Sequence, residues 1–350
     1  MKEKFLPGER VEDLAEYLSQ RYRLWAPAAK EGAFVFAQVV DAGDISMDYS
    51  TTLLPPKHAF LPTAEILASV DLQTGEADSV RPDDPPPAIF GVHPCDLNGL
   101  ARLDQAMREP PADAAYHRAN AGAFIVGLAC LKKCRPEAFC DSTETFRPNG
   151  HFDLHLTPME GGFWTSVQSD AGRALADDTG LFEVPTDRQR AEYEHVRRGI
   201  ETTFAGRRLN LKTLAADLPK IYPHRMWEKL AERCFSCGAC TAVCPTCVCF
   251  DVRDEMSDGC RTANRCRSWD SCLLKDFAVV AGGENFRGRR AERIRHRMMR
   301  QGSYLARRFG LPVFCVGCGR CPHVCLGKIS PLDVFEQCQK EVGSGVGRAA

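Results

Sequence analysis

The sequence predicts two domains of different class: an α/β domain at the N-terminus and a mainly α-helical, cysteine-rich domain at the C-terminus. Length is the first reason, since 350 residues suit about two domains. The second is a set of short apolar runs in the first half, each bounded by polar or turn residues, which read as buried strands. The third is the distribution of the 18 cysteines, with four between Cys95 and Cys140, fourteen between Cys234 and Cys338, and none elsewhere.

The first element reads as an amphipathic helix near the start, with Val11, Leu14 and Leu18 on one face. Strands are expected at 33–40 (AFVFAQVV), 88–92 (AIFGV), 123–130 (AFIVGLAC) and 163–168 (FWTSVQ). After the second of these, Leu97, Leu100, Leu103 and Met107 recur at helical spacing, with Asp96 as the expected N-cap. The strands at 88–92 and 123–130 each run into a cysteine-bearing loop, and in a parallel sheet both loops leave the same edge. The segment VRPDDPPP (80–87) reads as a stiff surface connection. Helices are expected over 187–204 and 224–233.

Composition narrows the function. Lys plus Arg is 45 and Asp plus Glu is 46, so no global charge draws the chain to nucleic acid or anionic lipid. No apolar run is long enough to span a bilayer, and the N-terminus lacks a signal-peptide core, so a cytoplasmic location is expected. There thiols stay reduced, and tight CxxC spacing points to metal ligation rather than disulfides. No dinucleotide-binding GxGxxG follows a strand, no phosphate-binding GxxxxGK[ST] is present, and no catalytic triad or carboxylate pair is legible.

The cysteines carry the chemistry. Cys234, Cys237, Cys240 and Cys244 form a CxxCxxCxxxCP run, and Cys315, Cys318, Cys321 and Cys325 repeat the spacing, with Leu326 in place of the closing proline. This is the spacing of bacterial two-cluster ferredoxins, in which the fourth cysteine of each run serves the other cluster. Three thiolates at x2 spacing come from one tight loop that wraps a cubane and aims backbone N–H groups at its sulfurs. Cluster one is therefore expected on Cys234, Cys237, Cys240 and Cys325, and cluster two on Cys315, Cys318, Cys321 and Cys244. Zinc is the competing ion, but it more often takes two separated CxxC pairs.

Cys95, Cys130, Cys134 and Cys140 form a candidate third metal site, the alternative being ordinary buried thiols. Cys247, Cys249 and Cys272 read as packing beside the cluster loop, as an extra ligand set, or as a thiol pair near a cluster; Cys272 stands out among them. Cys338 reads as a thiol without a role. The nine arginines of 285–309 either offset cluster charge or form a docking face, with a solvated helix face as the default for most. His224, His296 and His323 are scattered and read as structural.

Beyond the two runs, the segments FGVHPCDLNGLARLD (90–104), GLACLKKCRPEAFC (127–140), CPTCVCFDV (244–252) and RSWDSCLLKDF (267–277) are similar to a family of iron–sulfur electron-transfer subunits. That family includes the beta subunit of cytoplasmic [NiFe] sulfhydrogenases and the electron-transfer subunit of anaerobic sulfite reductases. Cys260 and Cys266 lie outside the shared pattern. The expectation is an α/β domain over 1–204 with a four-cysteine site, then a ferredoxin-like 4Fe-4S dicluster domain over 205–350 carrying an insertion between its motifs. The resemblance implies that one partner is an FAD- and [2Fe–2S]-containing NAD(P)H-oxidoreductase subunit. It implies that the other is a hydrogenase pair or the catalytic subunit of a sulfite reductase, with no nucleic acid and no membrane insertion. Two further hypotheses compete: a reductase with its own reaction centre at the N-terminal cysteines, and a zinc-stabilised interaction module.

Overall fold

A computed structural model describes residues 2–78, 84–206 and 208–344. Positions 80–83 of the proline-rich connection lie outside the described residues.

Nine of the eleven strands among the described residues lie in the N-terminal half: β1 (Lys2–Pro7), β2 (Arg23–Lys30), β3 (Ala33–Gln38), β4 (Ala64–Asp71), β5 (Ala77–Asp78), β6 (Pro87–Val92), β7 (Phe124–Leu128), β8 (Leu154–Met159) and β9 (Gly162–Val167). A seven-stranded sheet runs β1-β9-β8-β7-β6-β2-β3. Its centre, β2, β6, β7 and β8, is parallel, while β1, β9 and β3 pair antiparallel at the two sides. Every residue of β6 and β7 is buried, as expected of strands covered on both faces. Alternation sorts the side chains: Ala88 and Phe90 pack with Leu14 and Leu18 of the first helix, and Ile89 packs with Leu97, Leu100 and Leu103 on the other face.

The helix Pro94–Met107 differs from expectation at its start. Its N-cap is His93 and Pro94 opens the first turn, so Asp96 lies inside the helix rather than capping it. The side chain of Asp96 is instead spent on a buried ion pair, described below.

The C-terminal half builds a second core. Leu214, Trp227, Met299 and Phe335 join it from the helices Leu211–Asp217, Met226–Arg233 and Pro331–Gly343 and from the Arg290–Met299 helix. That last helix widens into a π-turn over Arg300–Tyr304, a feature found at functional sites more than elsewhere. Between the two cysteine motifs, β10 (Phe250–Met256) and β11 (Thr262–Trp269) form a hairpin, so this half also contains sheet. The hairpin reaches back to pair β11 with β4, from Thr262 opposite Asp71 to Ser268 opposite Ala64. Arg267, 1% exposed, pins this junction through ion pairs with Glu65 and Asp113. The insertion thereby ties the two halves together.

Candidate metal centres

The two cysteine motifs fold as a structural repeat. Ser236 and Gly317, each two positions after the first cysteine of its motif, both adopt positive φ, at 54° and 62°. Their N–H groups donate to the sulfurs of Cys234 and Cys315, both at 3.4 Å. Gly238 and Gly319 follow in the left-handed region, at φ 78° and 74°, and open the short helices that carry Cys240 and Cys321. Those two helices pack against each other. The N–H of Ile329 donates to the sulfur of Cys325 at 3.4 Å. Backbone donors aimed at sulfur are what a cluster loop needs.

The fourth cysteine of each run lies near the other run. Cys244 lies within electrostatic reach of Cys315, Cys318 and Cys321. The turn after Cys325 closes on the residue before Cys234, where Arg233 donates to the carbonyls of Gly327 and Lys328 at 2.8 and 2.9 Å. Cys234 belongs to the C-terminal core, and Cys240, Cys315 and Cys325 all pack against it. Cys237 is exposed.

The four N-terminal cysteines also converge. The adjacent parallel strands β6 and β7 send their following loops off one edge. A small pocket there is lined by Cys95, Cys130, Cys134 and Cys140, and also by Cys318 of the second motif. The loop bearing Cys140 presses on that motif: Phe139 N–H donates to Gly317 O at 2.8 Å, and Thr145 Oγ1 donates to Val316 O at 2.6 Å. A Cβ on Gly319 would stand 2.7 Å from Ala138 N, so only glycine fits this approach.

Buried arginines surround these thiols. Arg320, between two motif cysteines, is 1% exposed and makes two 2.6 Å bonds to the carboxylate of Asp96. It also donates to Thr52 O at 2.8 Å and Thr52 Oγ1 at 3.0 Å. Because Asp96 follows Cys95, this pair clamps the N-terminal cysteines onto the second motif. Arg102 donates to Phe314 O at 3.0 Å, and burial lowers its pKa to about 10. Arg297 donates to Cys240 O at 3.1 Å and faces Cys247, Cys244, Cys240 and Cys321. Burial opposes its charge, but the surrounding thiols win and raise its pKa overall. Its Nη1 is buried without a hydrogen-bond partner.

The thiols themselves are hard to ionise. Burial pushes Cys315 and Cys140 up to about 12, and Cys95, Cys130 and Cys321 well above the ordinary range. Cys244 goes the other way, lowered chiefly by a hydrogen bond from Cys247, and so does Cys249. So many buried thiols make sense once a cationic group replaces their protons. The thiol donor set and the N–H cradle both fit an iron–sulfur cubane, whose thiolates stand apart at the corners of a tetrahedron. Among the described residues, no group of three His, Cys, Asp or Glu closes around a point as a single metal ion requires.

The remaining cysteines are placed as follows. Cys247 and Cys272 are buried, and Cys249 is half-buried. Cys338 is fully buried in the C-terminal core. Cys260 sits exposed in the hairpin turn, and Cys266 lies on β11. Of the nine arginines in 285–309, Arg293 and Arg297 turn inward. Sequence reasoning missed Lys57, Arg102 and Arg320; only Arg320 left a signal, a charge set between two ligand positions.

Comparison with known proteins agrees with this geometry. Residues 233–329 match a family model described as a 4Fe-4S dicluster domain. No solved structure matches. The chain is 32% identical over 333 residues to Sulfhydrogenase 2 subunit beta of Pyrococcus furiosus, covering 95% of this chain and 97% of that protein. With the two motifs and a match along nearly its whole length, the chain belongs to the family of iron–sulfur electron-transfer subunits that includes the sulfhydrogenase beta subunit.

Proposed function

We propose that this chain relays single electrons through three [4Fe–4S] clusters, between a [NiFe] hydrogenase pair and a flavin- and [2Fe–2S]-containing NAD(P)H subunit. The observation that carries it is the continuity of the thiols. Cys244 joins the first motif to the second, and Cys318 lines the same pocket as Cys95, Cys130, Cys134 and Cys140. Cluster one falls to Cys234, Cys237, Cys240 and Cys325, cluster two to Cys315, Cys318, Cys321 and Cys244, and the third to the four N-terminal cysteines. Each cluster would supply a one-electron redox couple.

The protein's part is to hold the thiolates, exclude water and fix the electrostatics. Arg297, on the Cys240 carbonyl of the first motif, and Arg320, within the second, place buried positive charge beside the thiols, which favours the more negative, reduced state there. The hydrogenase assembly is preferred to a sulfite reductase because the similar protein is a sulfhydrogenase subunit.

The test is iron and acid-labile sulfide per chain on anaerobically purified protein. About twelve irons are expected, and about eight would remove the third cluster. Near-zero iron with stoichiometric zinc would overturn the relay. Cys325→Ala should then erase the EPR signal of cluster one; loss of the signal tied to Cys315, Cys318 and Cys321 instead would refute the crossing.

A further inference from the structure

Three cysteines beside the first motif have no place in these ligand sets. Two of them meet. Asp270 N–H donates to Cys249 O at 3.0 Å, next to the Phe250–Trp269 pair that closes the β10–β11 hairpin. This closure brings the side chains of Cys249 and Cys272 into hydrogen-bond contact.

The two thiols are unequally accessible. Cys272 is 1% exposed and belongs to the C-terminal core. Cys249 lines a pocket of about 230 Å³ together with Lys57, Cys237, Trp269 and Asp270. One thiol that a solute can reach, backed by one it cannot, is the arrangement of an attacking and a resolving cysteine. The setting is electropositive. Lys57 is buried, donates to Cys247 O at 2.8 Å and sits 4.2 Å over the Trp269 ring. Its charge, with those of Arg297 and Arg300, acts on the thiols here.

We propose that Cys249 and Cys272 form a reversible dithiol–disulfide couple that reduces a small disulfide entering the pocket beside Cys237. The Cys249 thiolate attacks one sulfur of the disulfide, breaking its S–S bond, forming a mixed disulfide and releasing one thiolate. Cys272 then gives up its proton and attacks the Cys249 sulfur, which releases the second thiolate and closes a Cys249–Cys272 bond. The two released thiolates take up the two protons. Two electrons from a one-electron donor of the iron–sulfur class, with two protons from solvent, restore the dithiol. The hydrogen bond from Cys272, the chief cause, draws the Cys249 thiol down to about 6, in keeping with the attacking role. The electron supply rests on Cys237 being a ligand of cluster one; the exchange step does not.

The experiment uses anaerobically purified, iron-loaded full-length chain and glutathione disulfide as the probe. Thiols are trapped before digestion and peptides are read by mass spectrometry. The wild type should yield a linked Cys249–Cys272 peptide and two equivalents of glutathione, and dithionite should reverse the link. Cys272→Ser should stop at a glutathione adduct on Cys249. Cys249→Ser should slow glutathione release by at least about tenfold. Both variants should keep wild-type iron and sulfide. Loss of about four irons in either variant would make these thiols ligands and overturn the proposal. So would the absence of both the linked peptide and the adduct. Low iron in the wild type would refute the relay and leave the exchange readout standing.

Discussion

The first and second cysteine motifs share a backbone yet live in opposite surroundings. In the first, Phe235 is 67% exposed, and Leu326, beside the crossing Cys325, is 76% exposed. The second is walled in: Val316 and Cys318 pack against Cys95, and Gly317 and Gly319 meet the 137–139 backbone. The residue between the second and third cysteines is instructive, because Gly238-Ala239 in one motif corresponds to Gly319-Arg320 in the other. Ala239 starts a helix and no more, whereas Arg320 anchors to Asp96 and Thr52. Identical ligand spacing therefore produces one interior site and one surface site. In a relay, the surface site is the one placed to meet a partner, and the interior sites pass charge within the chain.

Substituting the matching glycines tests this contrast most strongly. At both positions an added Cβ is strained by positive φ, costing about 1–2 kcal/mol. Gly319→Ala would also drive its Cβ to within 3 Å of Ala138 N and Glu137 C, which are backbone atoms and cannot turn away. Gly238→Ala meets side chains alone, Ser271 at 3.0 Å and Leu274 at 3.9 Å. Gly319→Ala should lose the second cluster or fail to fold, while Gly238→Ala should retain most of its iron. Equal iron loss in the two variants would refute the asymmetry.

Next in size is the buried pair. Asp96→Ala leaves Arg320 charged and uncompensated at 1% exposure, and breaking such a pair costs about 3–5 kcal/mol. Denaturant unfolding of the iron-loaded protein should show this, with the N-terminal cysteines becoming reactive to alkylation first. A loss below about 1 kcal/mol would mean the pair is not holding the two halves together.

Acid should weaken the interior side in a way that one histidine can report. His155, on β8 against Gly127, is 4% exposed, and burial lowers its pKa to about 4. Its folded value lies below its unfolded value near 6.5, so the unfolded chain binds the extra proton. Stability from this group is full above about pH 6.5 and is lost as pH falls toward about 4, with roughly 2 kcal/mol gone by about pH 5. His155→Gln should flatten that part of the stability–pH curve between pH 7 and 5. An unchanged slope would show that His155 is solvated in the fold.

These contrasts also show what the sequence could and could not reveal. Cysteine spacing is local, so the ligand loops and their repeat are legible from residues 234–244 and 315–325. The gathering of the N-terminal loops follows from two buried strands being parallel neighbours, which the apolar runs at 88–92 and 123–130 suggest. Asp96 misleads because an acidic residue after Pro-Cys has the local look of a cap, and its partner lies 224 positions away. The pairing of β11 with β4 is illegible for the same reason, since no local pattern states which distant strand a hairpin will join. Burial of Lys57, Arg102 and Arg297 contradicts their intrinsic preference for water, and it follows only from thiols that other segments bring near.

The smallest expected effect on stability belongs to the open side, and it separates surface from interior most cleanly. Phe235 and Leu326 each follow a cysteine assigned to cluster one, and both side chains stand mostly in solvent. Neither joins a core, so replacing them removes little buried apolar area, and surface substitutions of this kind fall within about 0.5 kcal/mol. The double variant Phe235→Glu, Leu326→Glu should therefore keep its melting temperature and its full iron content. What it should lose is docking: two apolar anchors become like charges at a partner contact, and an anchor's loss costs a complex about 2 kcal/mol or more. Electron transfer from the reduced flavin subunit proposed as partner should slow by about tenfold or more at limiting partner concentration, while reduction by dithionite, which needs no docking, stays unchanged. Equal slowing with both reductants would place the fault in the cluster. No slowing with either would move the partner contact away from the first motif and leave its exposure without a function in the relay.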